Sequence, residues 1–181
     1  IYAQALSYYA QYGVYFSTFS RRHMLSDHFT PVLLLFAPLF RWHPSFAWLI
    51  LGKAAAFFAS PLILLFFGRR FLGRDSKLVY LCPLLFLVHP FLAQLLFFEF
   101  QPSTLAMPFI MLVFFFAAEG WLIGASVLLV FLLCFKENLP LIWVSAGCYL
   151  MLEKRRITSG AALIAGGIAL GWALTYYVIP Y

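Results

Sequence analysis

The sequence predicts an all-α fold: a polytopic integral membrane helix bundle of about six spans, preceded by an outer-face interfacial segment. Three observations predict it. The first is composition: 65% of the 181 residues are apolar or aromatic, 10% are charged, and the mean hydropathy is +0.95. A soluble chain carries roughly 45–50% apolar and about 25% charged residues. The 12 Lys and Arg with 6 Asp and Glu present here cannot cover a water-facing surface, so the solvent is lipid. The second is a series of six long apolar runs, and the third is the confinement of basic residues to short clusters between them. A soluble enzyme, a nucleic-acid-binding domain and a disordered tail are excluded. The net charge of +6 and pI of 9.4 are topology signals and indicate no nucleic-acid partner.

Residues 1 to 20 carry aromatics and small polar groups without charge, which suits an interfacial helix and loop. Arg21, Arg22 and a proline stop at Pro31 follow. The apolar stretch Val32 to Phe40 holds Pro38 and is closed by Arg41, His43 and Pro44. It is too short to cross a bilayer and reads as an interfacial or re-entrant helix. The candidate spans are Phe46–Phe67, Leu78–Phe98, Pro102–Ala118, Trp121–Phe135, Leu139–Leu152 and Ile157–Ile179. Two organisational units result: residues 1–45, an outer-face loop with interfacial helices, and residues 46–181, the transmembrane bundle. The absence of an opening Met, and an end at Tyr181 just past an apolar run, read as a fragment of a longer chain.

Arg69, Arg70, Arg74 and Lys77 fill one connection, and Lys154, Arg155 and Arg156 another. The positive-inside rule places both in the cytoplasm. Residues 1–45, Glu99–Ser103 and Lys136–Asn138 then face outward, as do Arg21, Arg22 and Arg41. The 32 residues from Trp121 to Leu152 are fewer than the ~40 that two full spans need. The turn at Lys136-Glu137-Asn138 therefore lies below the membrane surface, where irregular backbone and charge need protein or water around them. Gly167 and Gly171, with Gly166 beside them, have the spacing of close helix packing.

Topology also sorts the six acidic residues. Asp75, Glu119 and Glu153 read as solvated loop charges. Asp27, Glu99 and Glu137 lie at the outer edges of apolar segments with His28, Gln101 and Lys136 as neighbours. Partial desolvation at a membrane-edge cavity strengthens electrostatics, so these groups suit acid-base work or binding of a metal or phosphate. The plainer alternative is a set of unrelated interfacial charges. His89, before Pro90, reads as a satisfied core histidine. Lys53 reads as a snorkelling lysine or, alternatively, a phosphate contact. Cys82, Cys134 and Cys148 lack metal or disulfide spacing and read as small core or lipid-facing residues.

The segments SDHFTPVLLLFAPLF, FFEFQPSTLAMPF and LLCFKENLPLIWVSAGCYL resemble landmarks of a bacterial family of predicted membrane proteins, the domain of unknown function two-zero-seven-nine. That family shows an HFSP-like turn, an F-D-F-H-P-E-like turn and a K-E-D turn in this order. Ile1 and Gln4 match the end of its D-x-G-I-x-x-Q motif. In layout the family is similar to the GT-C superfamily of polytopic glycosyltransferases. The resemblance implies a multi-pass protein of the bacterial cytoplasmic (inner) membrane and a polyprenyl-phosphate-linked sugar as partner alongside membrane lipid. It also implies an interfacial helix over Val32–Phe40. The family's leading Asp falls shortly before Ile1 and is the expected principal catalytic acid. Glu99 and Gln101 stand in place of the family's Asp and His, and Asn138 in place of an Asp.

The expected function is transfer of a sugar from the lipid phosphate carrier to an acceptor at the extracytoplasmic face. Asp27 and Glu99 are the catalytic candidates. His28, Gln101, Lys136, Glu137 and Lys53 are the substrate-binding candidates, with a divalent metal as an open cofactor. The rival expectation is a transporter or flippase of a lipid-linked or anionic solute, which places its charges near the bilayer midplane.

Overall fold

The computed structural model describes residues 1–18 and 21–178; the end of the last apolar run, at Ile179, lies outside them. The described chain is all-α apart from one small ribbon. Helix α1 (Tyr2–Tyr12) is followed by strands β1 (Phe16–Ser17) and β2 (Arg22–His23), paired antiparallel. The short α2 (Met24–Asp27) precedes a 3₁₀ turn, Pro31–Phe36, that runs into α3 (Ala37–Trp42). The bundle proper is α4 (Ala47–Phe71), α5 (Leu81–Val88), α6 (Pro90–Phe97), α7 (Pro102–Glu119), α8 (Leu122–Leu132), α9 (Pro140–Leu152) and α10 (Ile157–Ala173), which ends in a π turn, Leu174–Val178.

Every predicted apolar run is helical, and local chemistry explains the ends. Pro102 and Pro140 open α7 and α9, where a missing N–H costs nothing. Gly120 closes α7 with φ 81°, a left-handed conformation that a side chain disfavours. Pro90 cannot donate to the preceding turn and holds His89 in extended backbone at ψ 118°. The run Leu78–Phe98 is thereby broken into α5 and α6, bent by 53°. At the end of α8, Leu133, Cys134 and Phe135 bond back three residues to Val130, Phe131 and Leu132, a tightening that stops the helix early.

These breaks correct the span count. Three helices are long and apolar enough to cross a membrane: Ala47–Phe71, Pro102–Glu119 and Ile157–Val178. The bent pair makes a fourth if it counts as one span, whereas α8 and α9, with 11 and 13 residues, are shorter. About six was the expectation. Apolar run length overstated helix length because proline and the turn at residues 133–139 interrupt the runs.

One core links the N-terminal segment to the bundle. Leu6, Met24, Leu33, Leu49, Leu105, Leu132 and Phe135 are buried in a single cluster. Helices α9 and α10 pack closely through glycines. A Cβ on Gly147 would lie 2.6 Å from the Gly160 carbonyl, and one on Gly167 would lie 2.8 Å from the Pro140 carbonyl. Gly171, flagged with Gly167 by spacing, is looser, with its nearest neighbour at 3.6 Å.

Cross-links define the two ends of the bundle. Arg70 pairs with Glu119, and Lys154 Nζ donates to the Ala118 carbonyl at 2.8 Å. Both basic connections therefore sit at one end. At the other end Val32 N–H donates to the Cys134 carbonyl at 2.9 Å, and Lys53 reaches the end of α6. Residues 1–3 and 28–32 meet the links at 97–102 and 133–139 there.

Candidate functional site

A cavity of about 850 Å³ opens at the end remote from the basic connections. Its polar wall holds His28, Lys53, Glu99, Gln101 and Lys136. Phe46, Ile50, Leu96, Phe97, Phe98 and Tyr2 make the apolar part of the wall. Phe97 is 89% exposed, so this wall continues into the outer, lipid-compatible surface of the bundle.

Each polar residue is placed by an identifiable element. Glu99 and Gln101 occupy the extended link between α6 and α7. The Gln101 backbone is held because its carbonyl accepts from both the N–H and the hydroxyl of Thr104. Its side chain accepts from Lys136 Nζ at 3.5 Å. Lys136 and Glu137 lie in the tight turn after α8, which is anchored by Phe135 packing on Phe109 and Phe131. His28 follows α2, and the bond from Val32 to Cys134 fixes its loop against that turn.

His28 Nδ1 sits 3.5 Å from Glu137 Oε1. Nδ1 and the other Glu137 oxygen, Oε2, are buried without a hydrogen-bond partner, although the His28 side chain as a whole is 39% exposed. His28 lines the cavity through the exposed remainder of its side chain. The Tyr2 ring lies 6.2 Å from the His28 ring and 5.9 Å from Phe100, edge to face with the latter. Burial pushes the Tyr2 hydroxyl far above its ordinary range, aided by Glu137, Tyr15 and Asp27. It stays neutral.

Of the residues singled out from sequence, His28, Glu99, Gln101, Lys136 and Lys53 line this cavity and Glu137 backs His28. Asp27 does not line it; its field reaches the site through Tyr2. Lys53 is corrected on the snorkelling reading. It is 4% exposed and its ammonium is taken up by the carbonyls of Leu96 at 3.0 Å and Phe98 at 2.9 Å. Glu119 is a chelated partner of Arg70, at 2.8 and 3.1 Å, and not a free loop charge. His89 is exposed at the helix break beside Phe91 and is not a core residue.

Tyr2 and the phenylalanine wall carried no signal in the sequence, because an uncharged aromatic in an aromatic-rich segment looks like any other. For a divalent metal the donor set falls short. His28 and Glu137 offer two ligands, and among the described residues no group of three or more His, Cys, Asp and Glu comes together. Gln101 and Asn138 supply neutral amides where further carboxylate or imidazole ligands would be needed.

Over residues 1–181 the chain matches the model of a family described as predicted membrane protein (DUF2079). No curated protein and no solved structure matches it.

Proposed function

The chain belongs to the DUF2079 family of predicted membrane proteins, and from that premise we propose a membrane-embedded glycosyltransferase that takes its sugar from a polyprenyl-phosphate donor. The observation that supports this reading is the mixed lining of one cavity: Glu99, His28 and Lys136 together with Phe46, Ile50, Leu96 and the exposed Phe97. A lipid-linked sugar phosphate has the same division into a polar head and a hydrocarbon tail. The positive-inside rule puts the basic end in the cytoplasm, so the cavity opens at the outer face, with residues 1–45 as its interfacial cover.

Roles follow from position. Glu99, the carboxylate on the wall, takes the proton of the acceptor hydroxyl. The acceptor oxygen forms its bond to the anomeric carbon as the bond to the phosphate oxygen breaks, and the electron pair leaves with the phosphate. Lys136, whose one neutral partner is Gln101, faces that developing charge. Lys53 already satisfies two carbonyls and acts by fixing the cavity floor. Glu137 faces His28 Nδ1 at 3.5 Å, and the remaining ring nitrogen hydrogen-bonds the bound sugar or acceptor.

The test is transfer from a radiolabelled polyprenyl-phosphate sugar in proteoliposomes, read as release of the polyprenyl phosphate. Glu99→Gln and Lys136→Met are expected to reduce release by about 10²-fold or more, the scale of one acid-base or electrostatic contribution. Equal release by wild type and both variants overturns the assignment. A second reading, a flippase of lipid-linked solute, draws on the helix break at His89-Pro90, since discontinuous helices form transporter sites. Movement of intact donor between leaflets without release would favour it.

A further inference from the structure

At the opposite end of the bundle lies a second concavity, of about 750 Å³, lined by Phe66, Arg69, Arg70, Arg74 and Phe115. We propose that it is a docking site for an anionic phospholipid, with the lipid phosphate held by the arginines and an acyl chain laid along α4. Two independent observations carry this.

The first is charge left over inside a concave site. Glu119 from α7 chelates Arg70 through both carboxylate oxygens. It is the carboxylate paired with this cluster among the described residues, so Arg69 and Arg74 stay uncompensated. Gly73, at φ 84°, adopts a left-handed conformation after α4. That turn folds Arg74 back to the same concavity as Arg69 and Arg70. Planar guanidiniums gathered on one side match the oxygens of a phosphate diester.

The second is continuity with an apolar track. Leu51, Ala55, Phe58, Leu62 and Phe66 are all exposed. They recur at three- and four-residue spacing, so they form one stripe along α4. The stripe ends at Phe66, one turn before Arg69 and Arg70. A hydrocarbon chain lying on it brings its headgroup to the arginines, a geometry that a free phosphate ion or an acidic peptide would not need.

The protein is placed in nanodiscs of phosphatidylcholine with a minor fraction of phosphatidylglycerol, and the lipids retained after release are counted by native mass spectrometry. Wild type is expected to retain phosphatidylglycerol over phosphatidylcholine. Each basic residue near an anionic surface accounts for about fivefold, so R69Q/R74Q should lower that retention at least tenfold. Glu119→Gln frees Arg70 and should raise it. Arg41→Gln, at the other end, should leave it unchanged. Equal retention by wild type and R69Q/R74Q overturns the proposal. So does an equal loss in Arg41→Gln, which would mark a bulk charge effect, or displacement of the lipid by excess inorganic phosphate. All three arginines are exposed, and an unchanged melting temperature in each variant separates lost binding from lost folding.

Discussion

Lys53 and Phe98, 45 residues apart in sequence, are joined by a hydrogen bond of 2.9 Å from the buried ammonium to the backbone carbonyl. Together with the bond to Leu96 it supplies a charged donor to carbonyls at the end of α6, where the helix leaves its last acceptors unpaired. A lysine seven residues into an apolar helix is thus a tie between two segments of the bundle.

Replacement of Lys53 by Met keeps the length of the side chain and removes the donor. Two carbonyls then lose their partner, at a cost of about 1–3 kcal/mol. A clear drop in melting temperature in detergent is expected. Lys136→Met should leave melting nearly unchanged, because among the described residues the Lys136 ammonium hydrogen-bonds only to Gln101, at 3.5 Å. Equal melting of wild type and Lys53→Met would rule out the tie.

Tyr15 makes stability depend on alkaline pH. Burial pushes its hydroxyl up to about 12 from 10.0, partly opposed by Thr30. Between those values the folded state holds a proton that the unfolded state has lost, so stability is complete below pH 10 and falls as pH rises toward 12. The loss is roughly 2–3 kcal/mol at 1.36 kcal/mol per pKa unit. Tyr15→Phe should flatten this part of the stability profile, read by unfolding at stepped pH; an unchanged slope would assign the alkaline loss to other groups.

Helices α9 and α10 should separate when the glycine contact is filled. Gly147→Ala places a methyl 2.6 Å from the Gly160 carbonyl, a backbone atom that cannot step aside. Overpacking of this kind costs about 1–3 kcal/mol. Gly166→Ala meets only the Trp143 ring, at 3.6 Å, and should be tolerated. Comparison of the two melting temperatures decides the point, with equal stability arguing against close packing at Gly147.

Single cysteines at Ser76 and Ser103, introduced after removal of Cys82, Cys134 and Cys148, test the topology. Ser76 belongs to the end of the bundle that carries Arg70 and Glu119, and Ser103 to the end that carries Gln101 and Lys136. An impermeant thiol reagent should reach them from opposite faces of a sealed vesicle. Labelling of both from one face would remove the membrane orientation proposed for the cavity.

The helical membrane class was legible in composition and run length, because backbone groups in hydrocarbon must be paired within the segment and an apolar run has little alternative to a helix. All six runs accordingly became helices, and Pro90, Pro102, Pro140 and Gly120 marked ends by purely local chemistry. The number of long spans was not legible. Where α8 stops depends on Phe135 packing between Phe109 and Phe131, a contact between helices. The site divided in the same way. Scarcity of charge singled out Asp27, Glu99 and Glu137 with their neighbours His28, Gln101 and Lys136, since an ionisable group beside hydrocarbon is costly and rarely incidental, but it did not tell that Asp27 would fall outside the cavity lining. The meeting of the others depended on the bond from Val32 to Cys134, which brings the loop after α2 onto the turn after α8. The different fates of Lys53, bound to carbonyls, and Lys136, facing the cavity, were decided by which backbone lay within reach of each ammonium. That is a property of the assembled bundle, not of the residues on either side of each lysine in the chain.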